Sequence, residues 1–116
     1  MADETVYRTM LFDFYGELLT DKQKEYFDLH YNEDYSLSEI AEMTGISRQG
    51  VWDIIKRAEE TLRNTEEKTG LVRRFRETRT AIGEIETALE ALCGRLSGET
   101  KMLALELTEK LEQLKG

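Results

Sequence analysis

Arg73, Arg74, Arg76 and Arg79 place four guanidinium groups within seven residues, opposed there only by Glu77, with Lys68 just upstream. In a chain of formal charge −8 this is the one concentrated cationic stretch. Guanidinium forks match phosphate oxygens, and cations that displace condensed counterions bind nucleic acid without reading its sequence. The same arginines read equally well as a solvated helix face paired with the many glutamates of the chain. A second polar set, Arg48, Gln49, Trp52, Lys56 and Arg57, lies upstream, with Arg63 beyond it. Arg48 and Gln49 are suited to base edges, whereas Asp53 in the same run would repel phosphate.

Other chemistries find no residues to carry them. Glu59-Glu60 and Glu66-Glu67 are adjacent pairs and point about 100° apart on a helix, which does not make a carboxylate dyad. One histidine, His30, and one cysteine, Cys93, cannot assemble a zinc site, and no phosphate loop or dinucleotide fingerprint is present. No catalytic residue, metal or cofactor is therefore expected. Cys93, between Leu92 and Gly94 in a helical apolar pattern, reads as a buried structural thiol, and His30 as a structural or solvated histidine. The opening MADETVYRTM carries acids where a secretory signal needs cations, and no apolar run approaches a bilayer span. A soluble, cytoplasmic protein with no integral membrane partner is expected.

The elements that must position these side chains are helices. The absence of proline, the abundance of Leu and Glu and a charged fraction of 34% favour an all-α chain. Ser36 followed by Glu39 has capping-box spacing, so a helix should begin after Ser36 and bury Leu37, Ile40, Ala41 and Met43. Gly45 permits a sharp turn, Ile46 supplies a plug, and Ser47 can cap a following helix that turns Val51, Ile54, Ile55, Ala58 and Leu62 inward. That is a helix-turn-helix, with the polar set of residues 48–57 on its reading helix. The reading helix should run to Thr69, with Gly70 as a left-handed cap.

Upstream, residues 5–18 read as a helix with Val6, Met10, Leu11, Phe14 and Leu18 on one stripe. Thr20 and Gln23 repeat the capping spacing ahead of a helix that buries Tyr26, Phe27, Leu29 and Tyr31. Downstream, Phe75, Thr78, Ile82, Ile85, Leu89, Leu92 and Leu96 alternate by three and four, a heptad-like seam. Gly83 inside it suggests close packing or a mild kink, and a final helix from Glu99 should bury Met102, Leu103, Leu107, Leu111 and Leu114. The chain divides into a helix-turn-helix domain, residues 1–69, and a helical packing or dimerisation region, residues 70–116, forming a hairpin or a dimerising element. The aromatics Tyr7, Phe12, Phe14 and Tyr15 exceed what one helix face needs; they either complete the core or anchor a second chain. With the seam they predict a homodimer through those four residues and Ile82, Leu89 and Leu107.

Two stretches carry a family resemblance. LLTDKQKEYFDLHYNEDYSLSEIAEMTGISRQGVWDIIKRA resembles region 4 of bacterial sigma factors. LFDFYGELLT at residues 11–20, together with SRQGVWDIIKR at residues 47–57, is similar to the small bacterial helix-turn-helix family UPF0122, YlxM/p13-like. The sigma resemblance implies that Arg48, Gln49, Trp52, Asp53 and Lys56 occupy contacting positions, making the protein a sequence-specific DNA-binding regulator. Gly50, Trp52 and Asp53 depart there from longer polar or basic side chains. The UPF0122 resemblance implies a non-enzymatic accessory or regulatory protein of the signal recognition particle pathway, with the particle's RNA or GTPase as partner.

Overall fold

The computed structural model describes residues 2–116, and Met1 lies outside them. Among the described residues all regular structure is helical. The helices are α1 (Ala2–Tyr15), α2 (Asp21–Phe27), α3 (Leu37–Thr44), α4 (Arg48–Thr69), α5 (Leu71–Cys93) and α6 (Gly98–Lys115). A 3₁₀ turn, Gly16–Leu18, follows α1, and a π-helical turn, Asp28–Asn32, continues α2. The chain forms two compact units, residues 1–72 and 73–116.

Local chemistry sets the helix boundaries in the first unit. Thr20 and Ser36 each form a reciprocal capping box, with Gln23 and Glu39. Gly45 ends α3 at φ 77°, where its N–H donates to the Ala41 carbonyl, and Ser47 Oγ accepts from Gly50 N at 3.0 Å to open α4. Gly70 ends α4 at φ 63°. At both positions a side chain would meet the steric cost of the left-handed region.

α4 is the element against which α1, α2 and α3 all pack. It buries Val51, Ile55, Ala58 and Leu62 completely, beside Leu11, Phe27, Ile40 and Val72. Each of the larger side chains removed from water contributes roughly 1.5–3 kcal/mol. Ile46 and Ile54 are half-buried and pack on this cluster, as the helix-turn-helix pattern requires. Phe12 stacks on Phe27 with ring centroids 5.1 Å apart, and Tyr31 tilts against Phe27 at 4.8 Å.

The buried stripe of α1 differs from the one expected. Leu11 and Tyr15 are buried with Tyr7, Met10 and Phe12 packed around them, while Val6, Phe14 and Leu18 are exposed. Leu18 falls in the 3₁₀ turn, so the 3.6-residue count does not extend to it. Met43 is also exposed, at the edge of the inward face made by Leu37, Ile40, Ala41 and Thr44.

Tyr15 explains a buried acid that adjacency in sequence had concealed. Glu66 is 8% exposed; its Oε1 accepts from Tyr15 Oη at 2.6 Å and from Val72 N at 3.0 Å. The Thr69 hydroxyl lies 2.5 Å from the phenol oxygen. With the phenol proton directed to Glu66, Thr69 is the donor to Tyr15. Burial first, then the bond to Glu66, raises the Tyr15 phenol above its ordinary pKa. One carboxylate thus joins the end of α1 to the first turn of α5.

In the second unit α6 folds back on α5, and Lys115 Nζ donates to Glu86 Oε1 at 3.0 Å. Leu89 and Cys93 on α5 and Ala104, Thr108 and Leu111 on α6 are buried or half-buried, and Ile82 is 6% exposed. The expected α6 stripe is a face away: Met102, Leu103, Leu107 and Leu114 are exposed, since small Ala104 and Thr108 take the helix-facing positions. On α5, Ile85 and Leu92 of the expected seam are likewise exposed. α5 runs unbroken through Gly83, where an added Cβ would meet nothing within 4 Å, so close packing is not the reason for that glycine.

Candidate nucleic-acid interface

The front of α4 presents its polar set on a correctly capped helix, with unequal availability. Arg48, Lys56 and Arg57 are exposed. Gln49 is exposed too, but its Nε2 donates to Asp53 Oδ1 at 3.0 Å, one turn along the same face. The amide that would read a base edge is thereby held beside a carboxylate. Trp52 is half-buried, packed on the core with its ring edge-on to His30 at a centroid distance of 6.4 Å. His30 is in turn fixed through Nδ1 to the Tyr35 carbonyl at 2.8 Å, a structural role.

Arg63 belongs to a different arrangement. Its guanidinium pairs with Glu4 and, at 3.2 Å, with Glu59, which also takes Arg8 at 3.0 Å. These two carboxylates raise the Arg63 pKa against the opposing effect of burial. Arg8 lies over the Tyr31 ring at 4.2 Å and Arg63 over Tyr7 at 5.5 Å. The cluster clamps α1 to α4, so Arg63 is not part of a cationic reading face. Arg8 and Glu59 are 51 residues apart, and no short-range pattern marks their pairing.

The arginines of α5 have a different setting. Every residue from Arg73 to Ala81 is exposed, more than two helical turns in succession. Arg73 Nε lies 3.8 Å from Glu77 across one turn, an exposed pair of the kind that contributes at most about 1 kcal/mol. Arg79 sits over Phe75 at 5.5 Å from the ring centroid. That contact orients a guanidinium without neutralising it. The segment thus carries four arginines and one aromatic ring on an exposed stretch of helix.

Of the side chains expected at an interface, Tyr15 is inside the first unit and Ile82 is buried; neither offers a surface to a partner. Phe12 is held by its stack on Phe27, and Tyr7 and Leu89 are half-buried. Phe14 and Leu107 are exposed at 40% and 53%. Gly50 is a residue whose role sequence spacing did not show. A Cβ there would lie 2.7 Å from Ile46 Cγ2 and 3.1 Å from Ser47 Oγ, so the plug of the turn sits directly on this glycine.

The model of the UPF0122 family, described as helix-turn-helix protein, YlxM / p13 like, matches residues 2–94. The chain belongs to this family. A UPF0122 protein of Thermoanaerobacter sp. strain X514 is 44% identical over 115 residues, covering 98% of each chain. A UPF0122 protein of Bacillus velezensis is 47% identical over 111 residues, covering 95% of this chain and 97% of its own length. One from Listeria welshimeri is 41% identical over 116 residues, covering 100% and 98%. The UPF0122 match extends over the helix-turn-helix, the arginines of α5 and the rest of that helix. Among the described residues no group of three or more His, Cys, Asp or Glu side chains could hold a metal ion. No helix there is long and apolar enough to cross a membrane.

Proposed function

We propose that this UPF0122 protein is a non-enzymatic accessory or regulatory component of the signal recognition particle pathway, binding the particle's RNA and/or GTPase. Arg73, Arg74, Arg76 and Arg79 make the contact. The observation that carries this reading is the uninterrupted exposure of residues 73–81 on a helix with four arginines. Such a surface positions a phosphate backbone, or an acidic protein face, without reading bases. The family resemblance supplies the pathway. In this division of labour residues 1–69 form the helix-turn-helix scaffold and residues 70–116 the packing and partner-binding region.

A second reading assigns sequence-specific DNA binding to the helix that begins after Ser47, through Arg48, Gln49, Trp52, Lys56 and Arg57. It is favoured by the exposed Arg48, Lys56 and Arg57 on a capped helix. The Gln49–Asp53 bond and the packed Trp52 weigh against it.

Affinity selection from bacterial cytoplasm with the full chain, identifying bound RNA and bound protein together, tests the proposal. The expected result is enrichment of the particle's RNA or GTPase that is lost when the four arginines are changed to glutamine. Enrichment of duplex DNA of a defined sequence, unaffected by those changes and lost on Arg48→Ala, would overturn it.

A further inference from the structure

The hairpin of α5 and α6 keeps large apolar side chains in water along one of its two flanks. On α5, Ile85 is 48% exposed and Leu92 47%, with Ala81 and Ala88 exposed beside them. On α6, Leu103, Leu107 and Leu114 are 61%, 53% and 72% exposed. Successive residues turn 100° about an α-helix. Ile85 and Leu92 therefore lie about a quarter turn from the α6-facing line of Glu86, Leu89 and Cys93. Leu103, Leu107 and Leu114 lie a quarter turn, in the same rotational sense, from the α5-facing line of Ala104, Thr108 and Leu111. Because the helices run antiparallel, as the Lys115–Glu86 bond requires, equal senses of rotation bring both sets to the same flank. The opposite flank carries Leu105 on α6, against Glu90 and Thr87 on α5.

We infer that this flank is the contact surface for a second copy of the chain, two hairpins packing face to face as a four-helix arrangement. The exposed area of these five large side chains is on the order of 500 Å², at the upper end of what a soluble monomer leaves open. Doubling across a twofold axis brings it, with its polar rim, to the size of a specific interface. A twofold contact must be self-complementary, and the charges here are of both signs: Glu84 and Arg95 border the apolar line on α5, Glu106 borders it on α6, and Lys110 lies on the α6 line between Leu107 and Leu114. Residues 73–116 hold eight Lys and Arg against eight Asp and Glu, so two such units meet without net repulsion. Ala81 and Ala88 keep the middle of α5 narrow enough for a partner helix to approach. Of the heptad seam, this interface keeps Ile85 and Leu92 and leaves out Ile82 and Leu89, which are buried and half-buried; on α6 it adds Leu103 and Leu114 to Leu107. It is independent of the proposed particle contact.

Sedimentation equilibrium of the full chain over a dilution series tests this inference. Twice the 13.5 kDa chain mass is expected at micromolar concentration. The L103E/L107E variant should fall to the monomer mass, while L105E on the opposite flank should retain the wild-type mass. Amide hydrogen exchange on the wild-type protein at two concentrations guards against misfolded variants, and should show protection rising with concentration in residues 81–92 and 103–114. A wild-type monomer throughout, an L103E/L107E dimer with helicity intact, or concentration-dependent protection confined to another surface would overturn the inference.

Discussion

Tyr15→Phe removes one hydroxyl from the end of α1 and should have an effect well beyond its size. In the native protein that hydroxyl is buried, donates to Glu66 at 2.6 Å and receives Thr69 at 2.5 Å. A hydrogen bond to a charged acceptor contributes about 1.5–3 kcal/mol when one partner is deleted and the other stays buried. Glu66 retains Val72 N at 3.0 Å, so its carboxylate is not abandoned, and the lower half of that range applies. A loss of about 2 kcal/mol is expected, or roughly 8 °C in Tm for a chain of this length. Glu66→Gln keeps an acceptor oxygen but introduces amide protons without partners and should cost about 1–2 kcal/mol. Because the two residues share one bond, the double variant should fall short of additivity by about 1 kcal/mol. The assay is urea unfolding of the four proteins followed by circular dichroism. The phenol pKa is raised on folding, so its contribution is fully present at neutral pH and is lost as pH rises through the folded value, above about 10. Tyr15→Phe should reduce the alkaline loss, leaving the part carried by Tyr31, whose phenol is also raised by burial. A Tyr15→Phe cost below about 0.5 kcal/mol, or strict additivity with Glu66→Gln, would refute the reasoning.

Gly50→Ala should cost about 1–3 kcal/mol, measured by thermal unfolding, because its Cβ would meet the β-branched Ile46 at 2.7 Å. Ser36→Ala should cost about 1 kcal/mol through loss of the capping box, and Ser36→Gly less, in the same measurement. Glu112 has a raised pKa because it shares a hydrogen bond with Glu86, whose own pKa that bond lowers. The stability linked to Glu112 is present below its unfolded pKa and fades as pH rises through the folded one. Glu112→Gln, whose amide donates to Glu86 at any pH, should flatten the dependence of helicity on pH in that window.

The helix boundaries of the first unit were legible in the sequence because each is made by neighbours: Thr20 with Gln23, Ser36 with Glu39, Gly45, Ser47 and Gly70. The core of α4 followed from its period. What was not legible depended on partners far along the chain. Glu66 reads as a solvated acid until Tyr15 and Val72 are placed around it. Arg63 reads as a cation for a ligand until Glu4 and Glu59 are seen to take it. The α6 stripe misled for a different reason. Leucine repeats mark an apolar face whether it covers this chain or a second one, while the face used inside the hairpin is built on Ala104 and Thr108. The candidate site was legible in composition: four arginines in seven residues stand out in an acidic chain. The unequal availability of the α4 set was not, since the Gln49–Asp53 bond and the packing of Trp52 depend on side-chain geometry.

The central claim, that nucleic-acid affinity resides in the arginines of α5, is tested most directly by the salt dependence of binding to the particle's RNA. Dissociation constants of the wild-type protein and of R73Q/R74Q/R76Q/R79Q are measured at several salt concentrations, alongside Arg48→Ala. If the four cations displace counterions, the slope of log affinity against log salt should flatten by about 3 in the fourfold variant, with Arg48→Ala close to wild type. An unchanged slope in the fourfold variant, together with a loss of ~1–3 kcal/mol from Arg48→Ala on one DNA sequence alone, would contradict the claim and place recognition on α4.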